Sequence, residues 1–180
     1  VFAITCTTLL ITNTLKSQKE QISSLSPSID SLLLHEQIQT DTLFESKQII
    51  NILRINKNHS NHFQFDLAHH STTLKLTSQF AEKENAIAAI NGGFFDMDNG
   101  GSVTYLEEND TVFQRNIPHG TKWAIASWAK TGAVIIDPQG QLKLTAAKPT
   151  AFYEQSKAEK SVLITGPTLL LEGIKTTFKK

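Results

Sequence analysis

Asn91, Gly92, Gly93, Phe94, Phe95 and Asp96 follow one another without a break, directly after the small and apolar run Ala86–Ile90. Paired glycines can leave main-chain N–H groups bare, and such a concavity holds a phosphate or carboxylate. Asn91 brings an amide that both donates and accepts, suited to a sugar hydroxyl or acetamido group. Phe94 and Phe95 offer an apolar wall for a sugar face, with the Asp96 carboxylate beside it. These residue types permit binding of an anionic sugar ester, with Asp96 and Asn91 as catalytic candidates. Asn-Gly is also a favoured hairpin turn, so residue type alone leaves both readings open.

Other constellations compete. Asp96, Asp98, Gly101, Val103 and Glu107 fall at positions 1, 3, 6, 8 and 12 of a calcium-loop pattern. Position 5 is Gly100, which has no side-chain ligand, and a strand is expected to follow instead of a helix. A looser divalent-cation site on Asp96 and Asp98 stays open, against a solvated acidic turn; no other cofactor is implied. His59, His62, His69 and His70 cluster among Asn and Ser, the company of a surface loop. His119 follows a proline turn and is read as a turn histidine that could reach a cleft. Trp123 and Trp128 have opposite parity in an expected strand, "KWAIASW", one facing the core and one free to stack on a sugar.

The elements that must position these groups belong to a chain of 180 residues, enough for one ordinary domain with a core. Its 17 basic and 17 acidic residues cancel, leaving no basic stripe for nucleic acid. The lone cysteine, Cys6, excludes an internal disulfide and a cysteine-based zinc site. Residues 1–16 read as the remnant of a signal peptide or lipoprotein signal, hence an extracytoplasmic protein, whether periplasmic, cell-surface or secreted. The apolar run there is too short for a stable membrane span. Cys6 is a candidate lipid anchor with poor flanking residues, and the competing reading of this run is a buried strand.

Residues 17–42 are polar and serine-rich and read as a linker, in which "IDSLLLHEQIQ" could form a short helix. The folded part is expected over 43–180. "QIINILRIN" is a strand candidate, and Phe63, Phe65 and Leu67 alternate with polar neighbours as in a half-buried strand. A short helix is expected over Thr77–Ala86, capped by Thr77 or Ser78 with Glu82 and Glu84 early in it. "AIAAIN" then reads as a strand covered on both faces. After Gly101 strands and turns alternate, and "VIIDPQGQLKL" is a hairpin in which Pro138 starts the turn and Gly140 closes it. The fold class is α+β, with mixed, mostly antiparallel sheets and few helices, expected to be an incomplete domain.

Three blocks, "TSQFAEKENAIAAINGGFFD", "GSVTYLEENDTVFQRN" and "LITGPTLLLEG", stand in this order and together resemble the phosphodiester glycosidase family over Gln48–Phe178. The resemblance implies a hydrolase that removes a sugar, of N-acetylglucosaminyl phosphodiester type, from a sugar-1-phosphodiester in the cell envelope. It implies a glycan or sugar-phosphodiester partner bound by Gly92, Gly93, Phe94 and Phe95, with Gly166 and Pro167 from the third block. Members of the family continue into an arginine-containing segment and a glycine-rich acidic loop, neither of which occurs before Lys180. The 180 residues are therefore expected to be inactive alone and to expose apolar sheet edges. The alternative is a non-catalytic envelope carbohydrate-binding module of the same fold.

Overall fold

The structure, a computed structural model, describes residues 2–6, 33–43, 45–55, 63–156 and 158–177. In chain order the strands and helices are β1 (Phe2–Cys6), β2 (Leu33–Thr40), β3 (Gln48–Ile55), β4 (Phe63–Leu67), α1 (Thr77–Lys83), β5 (Ala88–Ile90), β6 (Leu106–Glu108), β7 (Thr111–Gln114), β8 (Gly132–Ile136), β9 (Leu142–Ala146), α2 (Thr150–Gln155), β10 (Ser161–Thr165), β11 (Leu170–Leu171) and β12 (Ile174–Lys175). Every strand pairing among them is antiparallel. The class is α+β with mostly antiparallel strands, as the turn-punctuated sequence implies. No helix among the described residues is long and apolar enough to cross a membrane.

The chain divides into two compact units. One is built on the β2–β3 hairpin, paired from Leu33–Ile55 to Thr40–Gln48. Arg54 reaches Glu36 across it at 3.0 Å, an exposed pair that adds about 0.2–1 kcal/mol at most. The linker expected up to residue 42, and the short helix within it, give way here to strand. Isoleucines at 38, 50 and 52 can pair along a ladder, whereas a lone short helix would leave them with nothing to pack on.

The other unit holds β1 and all described residues from Phe63 onward. β1 lies between β4 and β5 in a three-stranded sheet, with Ile4 opposite Phe65 and Ala88. The run expected as a targeting remnant is thus a strand hydrogen-bonded on both sides. The residues from Thr7 to Leu32, with the rest of that segment and most of the linker, lie outside the described residues. Five strands, in the order β7-β6-β10-β8-β9, form the second sheet.

The β8–β10 register sets Val162 opposite Ile135 and Ile164 opposite Ala133, so all four face one side. Tyr105 and Tyr153 join them in the core, their rings 5.8 Å apart, and Tyr153 is the buried anchor of α2. The valine and the two isoleucines each contribute about 1.5–3 kcal/mol by leaving water. Leu163 and Val134 face the other side, also buried, and there Leu163 meets the segment that follows β5. Tyr105 donates its hydroxyl to Glu107 at 2.6 Å, and burial holds that phenol protonated far above its usual range.

Candidate functional site

β5 delivers Asn91-Gly92-Gly93 onto the outer face of β10. The Gly92 carbonyl accepts a hydrogen bond from the Thr165 hydroxyl at 3.3 Å, one residue before Gly166–Pro167. The first and third blocks of the sequence are thereby brought together. Gly93 lies so close to β10 that an added Cβ would sit 2.9 Å from Leu163 Cδ1. Neither Gly92 nor Gly93 has a positive φ, so close approach and not turn geometry is what favours glycine at Gly93.

The tight turn falls one triplet later. Phe95 bridges Ser102, and Phe94 accepts from the Val103 N–H at 3.1 Å, closing a loop over Asp96–Gly101. Gly100 and Gly101 both have φ near +80°. An added Cβ on either would meet the backbone of Thr73 or Ser71 at 2.5 Å. Asp96 Oδ1 accepts from the N–H groups of Asp98 and Asn99 at 2.7 and 3.0 Å, the side-chain half of the same turn. The Asn99 N–H foremost, outweighing the cost of burial, holds the Asp96 carboxyl below its usual range.

Two adjoining clefts flank this loop. The larger, about 670 Å³, is lined mainly by apolar side chains and carries Asn91, Gly92, Gly93, Phe94 and Phe95. The smaller, about 440 Å³, carries Asp96 with Ser102, Gln114, Thr121, Lys122 and Trp123. The contiguous hexapeptide is therefore split, with its carboxylate in one cleft and its glycines and aromatics in the next. Gly166 and Pro167 line neither cleft, and their link to the site runs through Thr165.

The expected strand "KWAIASW" is a chain of turns. Thr121 N–H donates to Pro118, Ala124 N–H to Thr121, and a short 3₁₀ turn covers Ser127–Ala129. Trp123 takes a φ of +66°, a conformation costly for an aromatic residue, and lines the smaller cleft with the Lys122 ammonium 5.2 Å from its ring centroid. Trp128 is 66% exposed, so neither tryptophan belongs to the core and Trp123 is the candidate platform. Lys122 Nζ and Trp123 Nε1 both donate to Asp98 Oδ2, and these bonds hold the Asp98 carboxyl below its usual range. With that oxygen taken and a strand following at β6, the calcium-loop reading fails on geometry. Among the described residues no group of three metal-type side chains gathers.

The histidines divide in a way the sequence did not announce. His59 and His62 lie outside the described residues, and His119 is exposed. His69 is not a free surface side chain: its Nδ1 lies 2.6 Å from Glu108 Oε2, and its ring packs on Phe113 with centroids 4.1 Å apart. It lines both clefts. His70 Nδ1 is buried without a hydrogen-bond partner among the described residues. Only the fold could pair residues 39 apart; locally, the His-His-Ser context carries no sign of a carboxylate partner. No family model, no curated protein and no solved structure matches the chain.

Proposed function

We propose that the chain carries the sugar-ester site of an envelope hydrolase that cleaves sugar-1-phosphodiesters of the N-acetylglucosaminyl type. The observation that carries this reading is Asp96, kept ionised by its own turn, in one cleft with the Trp123 ring. In a glycosyl phosphodiester the departing phosphate is a weak base and needs little protonation. The difficult part is the positive charge that develops on the sugar, and a carboxylate that is ionised near neutral pH stabilises it. Trp123 gives the sugar a face to stack on, and the Gly92 and Gly93 amides, which donate to no other described backbone, offer donors for an anion. Among the described residues Asp96 Oδ2 meets only the Asn99 amide, at 3.3 Å, which leaves it capacity for substrate.

The test is hydrolysis of a chromogenic N-acetylglucosamine-1-phosphodiester by the complete polypeptide its gene encodes. Asp96→Asn keeps an oxygen for the two turn hydrogen bonds while removing the charge. We expect kcat to fall about 100-fold with the fold intact by circular dichroism. Turnover equal to wild type in Asp96→Asn removes Asp96 from catalysis. Ligand binding without any turnover by the unaltered protein replaces the enzyme with a carbohydrate-binding module.

A further inference from the structure

We propose, resting on the reading above, that His69 is the general base that activates the attacking water, with Glu108 as the residue that positions it. Asp96 leaves this role open. A carboxylate held below its usual range is a poor proton acceptor near neutrality, though well suited to facing a cation. Hydrolysis still requires that an attacking water lose a proton. Imidazole is the ordinary side chain for that task.

His69 has the geometry for it. It follows β4 by two residues, while Glu108 ends β6, so two different sheets fix the two partners. Their side chains are 19% and 22% exposed, partly desolvated but open on one side. The 2.6 Å contact engages Nδ1, and the Phe113 ring rests against the imidazole. Two supports on one small ring leave it little freedom to rotate. With the carboxylate at Nδ1, the neutral ring carries its proton there, and Nε2 is left with a bare lone pair. The two clefts share His69, Gly100, Gly101, Ser102 and Leu106, of which only His69 carries a ring nitrogen able to accept a proton. The base therefore stands at the seam between the cleft that holds Asp96 and Trp123 and the cleft that holds the glycine amides.

The step balances without any further reactant. One O–H bond of water breaks and its proton passes to His69 Nε2. The water oxygen forms a bond to the anomeric carbon as the bond from that carbon to the phosphate oxygen breaks. The bonding pair leaves with the phosphate, giving the free sugar and a phosphate monoester. Glu108 stabilises the imidazolium until solvent takes the proton.

The experiment uses the complete polypeptide with the same chromogenic ester. His69→Gln should lower kcat by about 100-fold or more at unchanged KM, the loss expected for a general base. Glu108→Gln should fall between this variant and wild type. A merely structural pair would lose stability and leave kcat alone. Wild-type turnover that survives His69→Gln overturns this proposal alone, whereas a wild type with no turnover overturns the parent reading and this one with it. Imidazole ¹⁵N spectra of the unaltered protein read the same point without a substituted chain. A proton on Nδ1 with Nε2 bare supports the assignment, and the opposite tautomer overturns it.

Discussion

Glycine is required in this molecule where the backbone, not the motif, demands it. The sequence holds two Asn-Gly-Gly triplets, and only the second, at Asn99-Gly100-Gly101, needs left-handed backbone. Gly101 combines φ +80° with a Cβ position 2.5 Å from the Ser71 carbonyl oxygen, whereas Gly120 has φ +88° with nothing within 4 Å. The pair separates conformational strain from crowding. Gly120→Ala should cost about 1–2 kcal/mol, the ordinary penalty of a Cβ in that region. Gly101→Ala should cost a further 1–3 kcal/mol or so, since the Ser71 backbone cannot move aside as a side-chain tip could. Urea midpoints of the two variants against wild type measure both terms. Equal losses would show that the loop over Asp96–Gly101 is not seated on Ser71–Thr73.

At the scale of elements, the β8–β9 hairpin was the most legible part of the chain, and the structure explains why. Asp137 starts the turn, its Oδ1 accepting from Gln139 and Gln141 N–H at 3.0 and 2.9 Å, while Gly140 N–H donates to its carbonyl at 2.8 Å. All of these partners lie within four residues, so the sequence contains the whole device. Burial pushes the Asp137 carboxyl up, but Lys143 at 2.9 Å and the two N–H groups outweigh it and hold the group below its usual range. A carboxyl depressed in the folded state stabilises fully above the unfolded value of about 3.9 and loses that contribution as pH falls through the folded value. Asp137→Asn should therefore cost about 1–3 kcal/mol at pH 7. The gap to wild type should close on acidification below about pH 4. Chemical denaturation at a series of pH values tests this, and a gap independent of pH would exclude the charge as its cause.

Elements with distant causes are not legible in the sequence. Helix α1 begins after Leu76, whose N–H is taken by Gln79 at 2.9 Å, so Thr77 and Ser78 do not cap it. It ends at Lys83, leaving Glu82 and Glu84 at the C-terminal end of the dipole and not the favourable end. The strand after it is not covered on both faces: Ala88 and Ala89 are only half-buried and Ile90 is 53% exposed, at the edge of its sheet. Helix α2 is too short, at six residues, to show a period, and depends on Tyr153 docking beside Tyr105. In the site, Asp96 and the glycines were visible as a run of residue types. The His69–Glu108 pair and the cleft-lining Trp123 were not, because each needs tertiary contacts to arise.

For the whole molecule, the decisive feature is apolar surface gathered on unpaired edges. β5 ends the three-stranded sheet and β9 ends the other, so among the described residues each presents N–H and C=O groups with no neighbouring strand on one side. On β9, Leu142 and Leu144 stand two residues apart on one face, and Leu144 is 65% exposed. Leu170 and Ile174, on the small β11–β12 hairpin that contacts β9, extend the same kind of surface. Soluble monomers blunt such edges with charge; the lysine of β9, Lys143, is paired with Asp137, and at Leu144 leucine stands where a further lysine would serve that purpose. The 180-residue chain should therefore self-associate as its concentration rises, seen as growing mass in light scattering. Leu144→Lys adds a charge at an already exposed position, so its effect on stability should stay within about 0.5 kcal/mol. Its effect on association should be large, because an inserted strand would have to desolvate the ammonium. A wild type monomeric at every concentration would show that this edge is covered, and a Leu144→Lys variant that associates as readily would show that association uses another surface.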